Sequence, residues 1–388
     1  MAIADRMSHI SPFHVMDILA RARQLESDGR DIVHMEVGEP DFVTLSQVTE
    51  AGRKALADGM VHYTPAVGLQ ALRQAIADYY ARIYEIEIPA SRIVVTPGAS
   101  GALQLALGVT VNPDDEVLMA DPGYPCNRHM VRMFEGHVRS IPVTEQTRFQ
   151  LTAELVAAYW NKNTKLVMLA SPSNPTGTLI DSNELEKICE FVSEKGGLVV
   201  VDEIYHGLVY GELPHTAVNF GDNVIVINSF SKYFGMTGWR LGWLVAPEQF
   251  IDPIDRLAQN IFLAAPTMSQ HAAITALSAE VQPLLDKRRD EFRKRRDYLL
   301  PALRELGFGI ECEPQGAFYL YADSSGMTDD SMHFCRDLLD KAGVAITPGA
   351  DFGDNRPSQF VRFAYTTSME QLETGVSRIR QYLAENHH

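Results

Sequence analysis

A series of short apolar runs between residues 92 and 246 constrains the fold of this chain more than any other feature. The runs are rich in Val, Leu and Ile and show little alternation with polar residues, which is typical of strands buried on both faces. Segments of helical periodicity, such as residues 182–195, separate them. This alternation predicts an α/β fold with a mostly parallel sheet and helices on both faces. The runs are RIVVT (92–96), EVLMAD (116–121), KLVMLAS (165–171), GLVVVDE (197–203), NVIVINS (223–229) and LGWLVA (241–246).

The pattern changes after residue 246 and predicts a second, smaller α+β domain. A chain of 388 residues is too long for one ordinary core, so we expect two domains. We predict a large domain of residues 41–270 and a small domain of residues 1–40 plus 271–388. Helical segments lie at 13–29, 284–307 and 369–385, and strand-like pieces lie at 316–322 and 359–365. Acids and bases are interleaved in 284–307, which predicts a solvated helix face rather than a nucleic-acid surface.

Composition excludes several classes of partner. The net charge of −16 makes the chain a poor binder of nucleic acids and anionic membranes. No apolar run approaches the roughly 18 residues that a membrane span needs, and the start, MAIADRMSHISPF, lacks the apolar core of a signal peptide. We therefore expect a cytoplasmic protein. The cysteines are too widely spaced for a metal knuckle, so no metal is predicted, and the closing His387 and His388 are given no function.

Polar residues follow several predicted strands at the point where each strand ends. Ligands bind outside the carboxyl ends of the strands in such sheets, so these residues are candidates for one shared site. The glycine-rich turn PGASGAL (97–103) places Ala99 and Ser100 at the start of a helix, where backbone N–H groups and the helix dipole attract phosphate. Taken alone, an ordinary strand–helix turn explains this segment better.

Two further turns carry an aromatic ring and an amide. PGYP (122–125) presents Tyr124, whose ring can stack on a planar ligand. PSNPTG (172–177) holds Asn174 between two prolines that restrict its backbone, which suits its amide to binding a ligand oxygen. A turn aromatic and a turn asparagine would explain the same residues without a ligand, and the sequence leaves both interpretations open.

A carboxylate and a lysine end the next two strands. Asp202 is followed three residues later by Tyr205; a partly buried carboxylate needs a partner such as a cationic ring nitrogen, although a helix cap would also explain an aspartate there. In NSFSKYFGMTGWR (228–240), Ser229 and Arg240 form a phosphate-binding pair. Lys232 between them is an amine whose proton is lost more easily near cations and out of water, so it can form a Schiff base. Pyridoxal 5′-phosphate is one cofactor that uses the whole set.

The chain resembles the class I/II aminotransferase family of pyridoxal-phosphate-dependent, fold type I enzymes, the superfamily of aspartate aminotransferase. The resemblance extends over nearly the whole chain, and the order SNPTG, DExY, SxSK, GxR is highly specific. It implies a mostly parallel, seven-stranded type of sheet flanked by helices. The motifs are YTPAVGLQALRQAIADYY (63–80), PGASGAL, DPGYP, SPSNPTG, VVVDEIY, SFSKYFGMTGWRLG, GAFYLY, TPGADFG (347–353) and FVRFAY.

The resemblance also implies a role for each matching residue. Lys232 forms the Schiff base and shuttles protons, Asp202 pairs with the ring nitrogen, and Asn174 and Tyr205 bind the phenolic oxygen. Tyr124 stacks on the ring. The phosphate is held by Ala99, Ser100, Ser229 and Arg240, and by Tyr63 of the neighbouring subunit in a homodimer. Arg362 binds the substrate α-carboxylate, with the backbone of Gly38 nearby.

The expected activity is transfer of the amino group of an L-amino acid to a 2-oxo acid, with 2-oxoglutarate expected on family grounds. A pyridoxal-phosphate lyase that eliminates β-substituents is the main alternative, because the same fold and nearly the same cofactor residues serve both reactions. A non-catalytic regulator is a third, and it usually carries an added DNA-binding domain, for which we see no segment long enough. The donor's side chain stays open: a dicarboxylic donor needs a second cation, and an apolar one needs a pocket, such as from the Ile10–Phe13 region.

Overall fold

The computed structural model describes residues 3–386, so that His387 and His388 lie outside the described residues. The α-helices are α1 (His14–Ser27), α2 (Ser46–Ala57), α3 (Gln70–Tyr84), α4 (Gly98–Thr110), α5 (Pro125–Met133), α6 (Ala153–Tyr159), α7 (Ser182–Glu194), α8 (Glu248–Ile261), α9 (Thr267–Ala276), α10 (Gln282–Glu305), α11 (Ser331–Ala342) and α12 (Met369–Asn386). The strands are β1 (Val33–His34), β2 (Ile93–Thr96), β3 (Glu116–Asp121), β4 (His137–Pro142), β5 (Thr164–Ala170), β6 (Leu198–Asp202), β7 (Val224–Ser229), β8 (Gly242–Val245), β9 (Tyr319–Asp323), β10 (Val344–Ala345), β11 (Thr347–Pro348) and β12 (Phe360–Ala364).

A seven-stranded sheet of order β2-β8-β7-β6-β5-β3-β4 forms the centre of the molecule. Its strands are parallel except β8, which runs antiparallel to both β2 and β7. This confirms the predicted fold class. Each predicted apolar run became a strand, whereas β4 was not predicted, because this edge strand is mostly exposed and carries no apolar run.

Two small sheets lie beside the large one. β11, β12 and β9 form an antiparallel sheet, and β1 pairs with β10 in parallel, which joins the N-terminal segment to the C-terminal part of the chain. Helix α1 packs against β10 and β11. The predicted smaller α+β unit is therefore present, while its limits at residues 40 and 271 stay a prediction. Within residues 3–386, no helix has the length and hydropathy to cross a membrane.

The core beside β7 and β8 is aromatic. Trp243 on β8 is fully buried, and its ring centroid lies 4.9 Å from that of Phe230. Its indole N–H donates to the hydroxyl of Tyr80 on α3 at 3.3 Å, so the polar atom of the ring is paired. Since Phe230 lies just before Lys232 in the chain, this packing fixes the backbone from which the lysine projects.

The charged helix α10 is less solvated than its sequence predicts. Arg295 is buried: its guanidinium bonds in bidentate fashion to Asp41 at 2.9 and 3.0 Å and lies 5.1 Å from the ring centre of Phe42 and 5.2 Å from that of Phe292. Arg296 is buried as well. The prediction of a solvated face was therefore wrong for these two residues. Arg295 is covered by Asp41 and Phe42, which are distant in the sequence, and by Phe292 of the same helix.

We expect Trp243→Ala to lower the free energy of unfolding by about 3–5 kcal/mol, because it empties a filled volume between β8 and α3. Leu213→Ala, at a side chain that is 44% exposed, should change it by less than about 0.5 kcal/mol. Urea unfolding followed by circular dichroism checks both variants. Equal shifts of the unfolding midpoint would contradict the assigned packing.

Candidate active site

A cavity of about 260 Å³ opens at the carboxyl ends of β5, β6 and β7. Every predicted site residue except Tyr63 lines it. Tyr63 stands apart with 84% of its surface exposed. The cavity-lining residues predicted from sequence are Gly38, Ala99, Ser100, Tyr124, Asn174, Asp202, Tyr205, Ser229, Lys232, Arg240 and Arg362.

One end of the cavity is suited to an anion. Helix α4 begins at Gly98, whose φ is +73°, and a Cβ there would lie 2.7 Å from Nη2 of Arg240. The guanidinium therefore lies against the bare helix start, and it is held by a bond from Nη1 to the carbonyl of Thr237 at 2.9 Å. The hydroxyls of Ser229 and Ser231 lie 3.0 Å apart nearby. A helix N-terminus, hydroxyls and a guanidinium together bind phosphate groups well.

Lys232 lies in the middle of the cavity wall. Its Nζ donates to the carbonyl oxygen of Gly38 at 2.6 Å. The pKa of Lys232 is lowered to about 8, chiefly by burial and also by the guanidinium groups of Arg362 and Arg240, while the charges of Glu39 and Asp202 oppose this shift. An appreciable fraction of this amine is neutral near pH 8, as a nucleophile or a base requires.

Asp202 is a buried carboxylate at the end of β6. Burial raises its pKa to about 6, although its Oδ1 accepts a hydrogen bond from the backbone N–H of Ile204 at 3.0 Å and Lys232 is nearby, both of which lower it. Among the residues that the structure describes, no Lys, Arg or His comes within 4.0 Å of this carboxylate to form an ion pair. The group is therefore suited to a cationic partner that enters the cavity.

The opposite end of the cavity is built around Arg362 of β12, which is only 2% exposed. Its Nη1 donates to Oδ1 of Asn174 at 2.9 Å, and its Nη2 donates to the carbonyl of Glu36 at 2.5 Å and to the hydroxyl of Thr347 at 3.2 Å. The guanidinium carbon lies 4.3 Å from the ring centre of Tyr319. Within residues 3–386 its buried Nε has no hydrogen-bond partner, which suits this side chain to a carboxylate ligand.

Gly38 is required by a close approach of the backbone to an aromatic side chain. A Cβ at Gly38 would lie 1.8 Å from the hydroxyl of Tyr319. That hydroxyl is in turn 2.9 Å from the hydroxyl of Tyr205. The glycine therefore lets a pair of phenols stand beside the carbonyl that accepts from Lys232.

Sequence reasoning missed several residues of the cavity. Tyr319 lies in the motif GAFYLY and Ser231 in SFSK, so both stood in segments that carried a signal without being singled out. We expected the Ile10–Phe13 region to contribute to an apolar pocket. Phe13 does line the cavity, whereas Ile10 is not among the lining residues. The other lining residues without a sequence prediction are Val15, Met16, Val37, Leu103, Ala170, Pro172, Ile204 and Thr237.

Comparisons with known proteins show what this chain is similar to. The model of the aminotransferase class I and II family matches residues 30–379. A valine–pyruvate aminotransferase of Mycobacterium tuberculosis is 38% identical, over 96% of this chain and 97% of that protein. A (5-formylfuran-3-yl)methyl phosphate transaminase of Methanocaldococcus jannaschii is 35% identical, over 98% of this chain and 99% of that protein. The crystal structure of an aminotransferase from M. tuberculosis matches with a TM-score of 0.95 at 38% identity, covering 99% of this chain and 100% of that chain.

The lowered pKa of Lys232 predicts how the amine responds to pH. Only the neutral amine attacks a carbonyl, so covalent capture of pyridoxal phosphate by the cofactor-free protein should accelerate as pH rises and level off, with a midpoint of about 8. Borohydride trapping at timed intervals, followed by mass spectrometry of the Lys232 peptide, measures the rate. The exposed Lys195 on the same protein serves as the internal control. A midpoint near 10.5, the ordinary lysine value, would contradict the site geometry.

Proposed function

We propose that this chain, which belongs to the aminotransferase class I and II family, transfers the amino group of an L-amino acid to 2-oxoglutarate. The observation that carries the proposal is the meeting of three groups in one cavity: a lysine of lowered pKa, a buried carboxylate without a cationic partner and a buried arginine with a free N–H. The family relationship makes the chain a pyridoxal-phosphate-dependent aminotransferase. The acceptor and the roles of individual residues are the proposed part.

The residues present fit pyridoxal phosphate. The helix start at Gly98, with Arg240 against it, is a cradle for a phosphate that a larger residue would fill. Asp202 offers its unpaired carboxylate to a protonated ring nitrogen, and Lys232 offers an amine to an aldehyde. Tyr124 lies on the cavity wall where its ring can stack on another ring. These donors and acceptors match the phosphate, the nitrogen, the aldehyde and the plane of the cofactor.

When bound, pyridoxal phosphate supplies an aldehyde that condenses with amines and a ring that accepts the electron pair released at the substrate Cα. The amine of Lys232 would hold the cofactor at its aldehyde, and in its neutral form it would take the Cα proton of the substrate and return it. The carbonyl of Gly38 orients Nζ for this task. Asp202 would stabilise a proton on the ring nitrogen, since a buried carboxylate stabilises a cation beside it.

Arg362 binds the α-carboxylate of the donor. Its two terminal nitrogens are held in place by Asn174, Glu36 and Thr347, so the guanidinium is oriented before the substrate arrives. The surrounding rings of Tyr319 and Phe352 exclude water from one side of the guanidinium. The attraction between the guanidinium and a bound carboxylate is stronger in this buried environment than in water.

Spectra of the cofactor-loaded enzyme with single amino acids test the reaction. We expect stoichiometric conversion of the cofactor to its amine form together with one equivalent of 2-oxo acid, and no turnover until 2-oxoglutarate is added. Catalytic release of pyruvate and ammonia without an acceptor would instead indicate the β-eliminating lyase. Lys232→Ala should abolish proton transfer and lower turnover by at least about 10²-fold, the usual contribution of general acid–base catalysis, whereas Lys195→Ala should leave turnover unchanged.

The proposal includes a homodimer in the cytoplasm. Tyr63 is exposed and does not line the cavity of its own chain, and exposed apolar side chains at Val43, Val61 and Leu263 are available to a second copy. Tyr63 would then bind the phosphate of the neighbouring site. Cell fractionation tests the location, and sedimentation tests the oligomeric state.

A hybrid dimer tests whether the site is shared. Tyr63→Ala and Lys232→Ala homodimers should both be impaired. A hybrid of one subunit of each kind should regain one complete site, because the intact Tyr63 of one subunit serves the intact Lys232 of the other. Activity of purified hybrids, selected by two affinity tags, gives the result; no gain over the Tyr63→Ala homodimer would place Tyr63 outside the partner's site.

A further inference from the structure

The N-terminal segment forms an apolar wall of the cavity. Phe13, Val15 and Met16 line it from the start of α1, and Val37 lines it just beyond β1. The Phe13 ring packs edge-on against Tyr124, with the ring centres 6.3 Å apart. Met16 is 54% exposed, which places it at the mouth of the cavity. We call Phe13, Val15 and Met16 the N-terminal wall.

A single buried carboxylate holds this wall in place. Helix α1 has no side-chain cap of its own, since the residue at its cap position is Phe13. Asp351 instead accepts the backbone N–H of His14 at 2.7 Å and that of Val15 at 2.8 Å, one on each carboxylate oxygen. Asp351 is only 4% exposed. Asp351 therefore caps the helix from a distant turn and fixes the backbone that carries Phe13, Val15 and Met16.

The wall stands at the Arg362 end of the cavity. The turn that carries Asp351 follows β11 directly, and Thr347 of β11 both pairs with Arg362 in the sheet and accepts its hydrogen bond. On the other side, the carbonyl of Glu36, one residue before Val37, accepts from Arg362 as well. A donor whose α-carboxylate is held by Arg362 therefore presents its side chain near the N-terminal wall.

Each cationic group that lines the cavity already has a proposed role. Among the described lining residues, the cations are Lys232, Arg240 and Arg362, which serve the amine chemistry, the phosphate and the α-carboxylate. Within the described residues of its own chain, a second carboxylate on the donor would lie against Phe13, Val15 and Met16, none of which can neutralise its charge. Burial of an unpaired charge is costly, whereas burial of an apolar side chain is favourable.

We propose that the amino donor carries an apolar side chain of the leucine, methionine or phenylalanine type, and that Asp351 is the positioning residue that sets this preference by holding the N-terminal wall. This inference rests on the proposed transaminase function. It concerns the donor half of the reaction and makes no statement on how the acceptor binds.

The donor half-reaction tests the substrate class without any acceptor. The cofactor-loaded enzyme is mixed with alanine, leucine, methionine, phenylalanine or aspartate, and the rate of cofactor conversion is followed over donor concentration. We expect the second-order rate constant for leucine to exceed those for alanine and aspartate by at least about tenfold, the low end of what an apolar pocket discriminates. Preference for aspartate overturns the inference and leaves the transaminase proposal standing. Conversion by no amino acid overturns both.

Variants test the part played by Asp351. Asp351→Asn keeps one acceptor oxygen for the two N–H groups, and Asp351→Ala keeps none. The ratio of the rate constants for leucine and alanine should therefore fall in Asp351→Asn and fall further, by about tenfold, in Asp351→Ala. Phe13→Ala should lower the same ratio. Asp354→Asn, at an exposed carboxylate of the same loop, should leave it within about twofold. The ratio does not depend on the fraction of protein that is folded, so loss of a purely structural role of Asp351 would leave the ratio unchanged. An unchanged ratio would therefore overturn the assignment.

Equilibrium binding gives a readout that needs no turnover. 4-Methylpentanoate and succinate correspond to leucine and aspartate without the amino group. Calorimetry with the cofactor-loaded protein should show tighter binding of 4-methylpentanoate, and Asp351→Ala should remove the difference. Tighter binding of succinate would contradict an apolar wall.

Discussion

The carboxyl ends of three neighbouring parallel strands meet at one edge of the large sheet, and the site depends on that meeting. Ala170 of β5 lies beside Asp202 of β6, and Asp202 lies beside Ile227 of β7. Residues that follow these strands, such as Asn174 and Lys232, therefore emerge side by side although many residues separate them in the chain. The parallel arrangement also buries both faces of these strands, which leaves polar side chains only at their ends.

A short backbone segment then joins the two ends of the cavity. The carbonyl of Glu36 accepts from Arg362, that of Val37 accepts from the hydroxyl of Thr366, and that of Gly38 accepts from Lys232. Consecutive carbonyls thus orient the carboxylate-binding arginine and the reactive amine together. Because a side chain at Gly38 would collide with Tyr319, this arrangement tolerates only glycine there. Movement of this segment would displace both functional groups at once.

Burial explains the electrostatics of the site, in opposite directions for its two central groups. It lowers the pKa of the Lys232 ammonium and raises that of the Asp202 carboxyl, since both lose solvation of their charged forms. The amine becomes neutral as pH rises through about 8, and the carboxylate forms as pH rises through about 6. Above about pH 6 Asp202 is therefore mostly ionised, and this is the form that would stabilise a cationic ring nitrogen.

The sequence by itself determined the α/β fold class, the family and the residues at the strand ends, because buried runs and glycine- or proline-rich turns are local patterns. It did not show β4, whose exposed edge position needs no apolar residues, nor the antiparallel direction of β8, since an apolar run carries no direction. Tertiary structure alone decided that Tyr319 stands over Gly38, that Asp41 and the ring of Phe42 cover Arg295, and that Asp351 caps a helix more than three hundred residues earlier in the chain. Each of these contacts joins segments distant in sequence, and only the packed fold brings such segments within the few ångströms over which a hydrogen bond or a steric contact acts.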